Sequence, residues 1–382
     1  MGIESINGKK MNKGEWAELY VLLKILGDGK LYTADNLLRK NCSNYLDIIK
    51  VFRQELDTMP IDYSVSKDEK TIQIESNNEV LAEIPMADFS ANAVDLFDGI
   101  KDLRGNSVPA PDSVCDFARI IYVSKPKAPA VKSLKQMYGG KNDIFVKTHD
   151  GQTGIESIMG FSIKSKFGQN PTLFNAGSSS QFLYKVDNCN DDLMNEFNDI
   201  SEGQNRGWNQ CKNFLKTHNM KLSFAKTQNL IYESNMLLVR ESMSKIMAWC
   251  VEDRLINAES DFEIKETVER MALENPCKVQ NPDIYYEKAM KDFLMAGFTG
   301  MTAGKPWDGR EQVNGGYIVV MEDGDVLCYH SSDREAFRDY LYRNTHFEYV
   351  SAKKYNWSKI NKENGDYFLS LNISIRFNTH TR

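Results

Sequence analysis

The stretch FSIKSKFG, Phe161 to Gly168, decides how this chain is read. It has the spacing of a short strand, yet it carries two lysines and two serines among its apolar residues. Successive side chains of a strand point to opposite faces. Phe161, Ile163, Ser165 and Phe167 therefore share one face, and Ser162, Lys164 and Lys166 share the other. The first face suits packing, and the second sets polar groups side by side where chemistry could use them. Upstream, DIFVKTHD (143–150) reads as a neighbouring strand, with Asp150-Gly151 as a turn in the connecting loop.

The chain around this pair has 382 residues, 41% hydrophobic and 26% charged. That length and balance predict an ordinary globular protein with two domains, or one domain with a large insertion. There is no apolar run of about 18 residues to span a membrane, and MGIESINGKKMNKGEW lacks the apolar centre of a signal peptide, so a cytoplasmic protein is expected. Seven cysteines form no CxxC pair and read as reduced, buried thiols without a zinc site. A net charge of −6 argues against nonspecific coating of nucleic acid. The charge is uneven, however. Between Ile121 and Asn170, Lys125, Lys127, Lys132, Lys135, Lys141, Lys147, Lys164 and Lys166 face only Asp143, Asp150 and Glu156.

Further out, KGEWAELYVLLKILG (13–27) predicts a helix that is apolar almost all round, hence buried. IDYSVS, TIQIES and VLAEIP predict a small meander, and SANAVDLFDGI a helix capped by Ser90. The proline-rich stretch 109–129 reads as irregular, QFLYKV as a strand, and 191–298 as mainly helical. GGYIVVMEDGDVLCYH predicts a hairpin turning at Asp323-Gly324, and SLNISIRF a single alternating strand. Three consecutive regions follow: 1–105 with the first helix and meander, 106–220 as a catalytic core, and 221–382 as a helical and hairpin region suited to recognition.

Asp143 and Lys164 on adjacent strands suit phosphodiester hydrolysis. That reaction needs carboxylates to hold Mg²⁺ against the phosphate and a lysine to orient water and offset developing charge. This is the arrangement of a PD-(D/E)XK nuclease, with Ser162 where a second carboxylate is usual. The competing reading is a solvated strand face. Other constellations fail on spacing. GMTAGKP has too few residues for a phosphate loop, Cys328 and His330 lack a third partner, and no HExxH is present.

KGEWAELYVLLK, GFSIKSKFGQNPTLFNAG, MTAGKPWDG, GGYIVV, CYH and LNISIRF, in this order along nearly the whole chain, resemble the HpaII-type type II restriction endonucleases. The resemblance implies an α+β or α/β fold: a PD-(D/E)XK core of mixed sheet flanked by helices, with added N-terminal β and C-terminal α+β recognition elements. It implies Mg²⁺ as cofactor, Asp143 and Lys164 in the nuclease roles, and the Ile163 carbonyl beside Asp143 in the metal shell. The substrate would be double-stranded DNA at a short palindrome such as CCGG, cut by a possible homodimer whose system includes a methyltransferase. A nicking or repair nuclease and an inactive DNA-binding module are the alternatives.

With serine at 162, one ligand has to come from elsewhere. KGEWAE is similar to the first helix of archaeal Holliday-junction resolvases, which places Glu18 first and Glu15 second as that ligand. Both lie on apolar flanks of the helix, where an unpaired carboxylate is costly. The plain alternative is a helix start whose acids favour the dipole. For DNA contact, the candidates are Lys166, Lys305 in its loop, Arg206 in QNRGWNQCKNF, and the strand face Asn372, Ser374 and Arg376. That face reads equally well as a solvated edge.

Overall fold

Asn12 starts the first helix with a reciprocal cap: its side chain accepts from Glu15 N at 2.8 Å, and its own N donates to Glu15 Oε2 at 3.1 Å. In the computed structural model this helix, α1, spans Lys13–Asp28 and ends where Gly29 turns left-handed at φ 64°. Trp16 through Leu23, Ile25 and Leu26 are buried, as an all-round apolar helix requires. The structure describes residues 6, 8–35, 39–55, 59–105, 107–127, 131–138, 142–165, 172–202, 208–257, 262–310, 315–330, 334–350 and 357–378.

These residues form two units. One takes its described residues from Met1–Pro171 and Glu311–Phe337, the other from Thr172–Arg310 and Arg338–His380. The division differs from three consecutive regions because pairing ignores chain order. The strand Gly316–Val320 lies parallel to Ile155–Ser165 and so returns to the first unit.

In the first unit, helix α2 (Met86–Ile100) packs on α1. A Cβ on Gly27 would lie 2.5 Å from Ser90 Oγ and 2.7 Å from Ser90 N. Ser90 is thus a small contact inside α2 and not the expected cap; α2 begins at Met86, directly after Pro85. Gly27→Ala is expected to cost about 1–3 kcal/mol of stability by overpacking this contact. A denaturant midpoint equal to wild type would mean that the helices part freely.

The strands β1 (Lys30–Ala34), β2 (Lys40–Glu55), β3 (Met59–Val65), β4 (Thr71–Ser76), β5 (Glu79–Pro85), β6 (Ile144–Asp150) and β7 (Ile155–Ser165) join the hairpin Gly316–Val320 and Val326–His330 in one mixed sheet. Its order is β1, 326–330, 316–320, β7, β6, β2, β3, β4, β5. β1 also pairs with β2, so the first six strands close a ring of pairings. The β3–β4–β5 meander extends from it as the sequence predicts, while β2 and the helix Asp112–Ile120 replace stretches expected to be irregular or left unread.

In the second unit, Phe182–Asp187 pairs with Lys221–Thr227 and Asp366–Leu371, and Ile360–Glu363 completes that sheet. A second sheet holds Thr172–Phe174, Ile373–Phe377 and Thr345–Tyr349. SLNISIRF is therefore two strands in two sheets, parted at Asn372, where one alternating strand was expected. Helices fill much of 191–299, and rings of Phe174, Tyr232 and Phe293 meet in the core. Cys115, Cys211, Cys250 and Cys328 are buried, but Cys189 and Cys277 are only half-buried and Cys42 is exposed, against expectation. No helix among the described residues is long and apolar enough to cross a membrane.

Glu252 ends the helix Met243–Glu252, and burial, with the charges of Glu274 and Asp253, pushes its carboxyl up to about 7. Because the folded value lies above the ordinary 4.5, its contribution to stability is complete below about pH 4.5 and is lost as pH rises through about 7. Glu252→Gln should therefore gain about 1–3 kcal/mol over wild type at pH 8 and converge with it in acid. Chemical denaturation at both pH values checks this, and a pH-independent difference would contradict it.

Candidate active site

Three pieces of backbone bring the predicted groups together. Pairing of β6 with β7 sets Ile144 opposite Phe161, and Asp143 N donates to Phe161 O at 2.8 Å. Asp143 Oδ2 then accepts from Ser162 Oγ at 3.0 Å and from Ile163 N at 2.8 Å. Ser162, 9% exposed, therefore orients the Asp143 carboxylate through its hydroxyl. The Ile163 amide adds to the same grip, while its side chain packs in the core.

Glu18 enters from α1. It is 9% exposed, and burial, then the charge of Asp143, push its carboxyl up to about 7 against the pull of Lys127 and Arg53. Lys127 Nζ lies 3.0 Å from Glu18 Oε1 and 3.8 Å from Asp143 Oδ1. Lys164, on the Ser162 face of β7, feels the same group: burial pulls its ammonium below the usual lysine range, opposed by Asp143, assisted by Lys127 and opposed by Glu18. Two carboxylates and two ammonium groups thus share one corner of the first unit. Glu15 has a different task, since its carboxylate caps α1.

The donor set can be tested against a divalent ion. Hard carboxylate oxygens are what Mg²⁺ takes, and Mg²⁺ commonly keeps several waters, so two carboxylates and a backbone carbonyl suffice. Glu18 and Asp143 already converge on a cation, the Lys127 ammonium, so the residues present fit the group. No cluster of three or more His, Cys, Asp or Glu suited to a metal occurs among the described residues.

Sequence reasoning missed Lys127, Arg53 and Glu55. Lys127 was visible only as one charge in the basic block, in a segment that reads as irregular. Arg53 and Glu55 form a buried ion pair at 2.7 Å on β2, a strand that the alternation test passed over.

The expected DNA contacts fare differently. Asn372 is 1% exposed, and its amide accepts from Ser180 Oγ at 3.1 Å and donates to Gly177 O at 2.8 Å. Ser374 Oγ accepts from Ala176 N at 3.0 Å. Both are interior groups because the strand break at Asn372 turns them inward, so the expected open face Asn372–Ser374–Arg376 does not form. Arg376 is half-buried and ion-paired with Glu348. Lys305 is exposed on a loop held by Asn235, whose amide donates to Thr302 O and Lys305 O at 2.8 Å and accepts from Trp307 N at 3.0 Å. Lys166 and Arg206 lie outside the described residues.

Comparison with known proteins agrees over the length of the chain. The type II restriction enzyme HpaII of Haemophilus parainfluenzae is 32% identical over 368 residues, covering 96% of this chain and 98% of that enzyme. No solved structure matches. The family model of the HpaII restriction endonuclease matches residues 12–377, and with the relative's coverage it shows that this chain belongs to the HpaII restriction endonuclease family, the type II site-specific deoxyribonucleases.

Proposed function

We propose that the protein is a Mg²⁺-dependent restriction endonuclease with a PD-(D/E)XK type of site, cutting double-stranded DNA at a CCGG-like palindrome to leave 5′-phosphate and 3′-hydroxyl ends. One observation carries the reading: Asp143, locked by two hydrogen bonds from β7, meets Glu18 of α1 beside Lys164. Asp143, Glu18 and the Ile163 carbonyl would hold the ion. When bound, it offsets negative charge on the phosphate and lowers the pKa of attacking water.

The chain's own residues do the rest. Ser162 and the Ile163 amide keep the Asp143 carboxylate from rotating, so its Oδ1 stays turned toward Lys127, 3.8 Å away. Lys164 orients the attacking water in line with the leaving 3′-oxygen, and its charge opposes the negative charge that builds on the phosphate. Burial makes that charge count for more than it would in water. Lys305 and Arg376 are the described candidates for phosphate or base contact, Arg376 after release from Glu348. A twofold dimer would read a palindrome with one copied surface.

Supercoiled plasmids with and without CCGG, incubated with and without Mg²⁺, test the reading. Discrete fragments whose sequenced ends map to CCGG support it. Nicks alone favour a nicking or repair nuclease, and intact DNA in both buffers an inactive DNA-binding module.

A further inference from the structure

We propose that Lys127 is a built-in counter-ion of the active site, held at Glu18 and Asp143 by the buried Arg53–Glu55 pair, and that a divalent cation reaches these carboxylates only as the ammonium leaves. The inference rests on the assignment of Glu18 and Asp143 as metal ligands.

The tether is the unusual part. Residues 121–127 have no helix or strand to hold them. Instead, Arg53 Nη2 donates to Lys125 O at 2.8 Å, and Glu55 Oε2 accepts from Ser124 N at 2.9 Å and from Ser124 Oγ. Tyr63 Oη donates to Ile121 O at 2.8 Å. Arg53 and Glu55 stand two apart on one face of β2, with side chains 5% and 0% exposed.

A buried ion pair is a poor device for stability alone, because desolvation offsets its attraction and apolar residues of similar volume often do as well. What it supplies here is hydrogen bonding to irregular backbone immediately before Lys127. The result is a lysine aimed at two carboxylates from different elements, α1 and the start of β6.

The plain alternative is an ordinary surface ion pair, since the Lys127 side chain is 55% exposed. Its partner is not a surface group: the Glu18 side chain is 11% exposed and has Asp143 beside it. Lys127 therefore neutralises a site that would otherwise hold adjacent carboxylates, and its exposure lets it withdraw at small cost. Ion pairs of this exposure are weak, so the competition is worth a modest factor, about 1.5- to fivefold in cation affinity.

The test is Mn²⁺ titration by calorimetry on the full chain without DNA, comparing wild type with Lys127→Ala, Lys127→Arg, Glu55→Gln and Asp143→Asn. Lys127→Ala should bind Mn²⁺ about 1.5- to fivefold more tightly, Lys127→Arg should stay near wild type, and Glu55→Gln should move part of the way. Without added ion, Lys127→Ala should also melt below wild type, and Mn²⁺ should restore it. Equal or weaker Mn²⁺ binding by Lys127→Ala overturns the counter-ion role. If Asp143→Asn abolishes binding in that same case, the metal-ligand assignment stands and only the lysine proposal fails. Wild-type affinity in Asp143→Asn removes the assignment, and the proposal with it.

Discussion

Lys164→Ala is expected to reduce DNA cleavage at least about a hundredfold while leaving specific DNA binding within roughly tenfold. Lys164 lies on the Ser162 face of β7, within the field of Asp143, Glu18 and Lys127, and burial pulls its ammonium below the usual lysine range. A cation so placed acts on charge that develops only as the phosphate is attacked, so its removal falls on the transition state and spares the ground state. Single-turnover cleavage beside a binding assay in Ca²⁺ separates the two quantities. Near-wild-type cutting would remove Lys164 from the site, and Lys166 would be the next variant to make.

The second large effect separates two glutamates one helical turn apart. Glu18→Gln should lower cleavage by about a hundredfold or more, the scale on which a metal ligand stabilises transition-state charge. Glu15→Gln should change it little, because glutamine can still accept from Asn12 N and preserve the cap of α1. Part of the Glu18→Gln loss should return in Mn²⁺, which accepts neutral oxygen and nitrogen ligands more readily than Mg²⁺ does. Helix content by circular dichroism controls for damage to α1. If Glu15→Gln were the more harmful change, the ligand would move one turn toward the N-terminus; if neither mattered, Glu156 and Glu196 would be the carboxylates to examine.

The two glutamates show how far local pattern reaches. Spacing alone put both on apolar flanks of α1, and the helix dipole offered the plain alternative of an acidic helix start. It took the packing of α1 on β7, to which Asp143 is hydrogen-bonded, to decide that Glu18 meets Asp143 while Glu15 turns back to Asn12. Ser162 is a similar case. Alternation put it beside Lys164, and its absent carboxylate looked like a gap. Its hydroxyl instead fills a role of its own, because pairing of β6 with β7 sets it 3.0 Å from Asp143 Oδ2.

Alternation failed where it assumed continuity. SLNISIRF alternates cleanly, but Asn372 breaks it into strands of two sheets, and the polar residues turn inward to buried partners. Period two describes a strand only while the chain stays in one sheet. The same limit hid β2, whose charged and aromatic residues reflect neighbours on several sides: β1 and β3 along one edge, β6 along the other.

Taken by itself, the sequence determined the buried first helix, the meander, the β6–β7 pair with Asp143 and Lys164 on it, and the likeness to the HpaII enzymes. Each depends on residues near one another in the chain, or on a pattern repeated along it. Only the tertiary structure decided the return of 316–330 to β7, the meeting of Glu18 with Asp143, and the hold of Arg53 and Glu55 on the segment that carries Lys127. These join residues far apart in sequence, and an ion pair or hydrogen bond between such groups leaves no period for a local reading to detect. It exists because folding removes the carboxylates from water and leaves them to find the nearest cation.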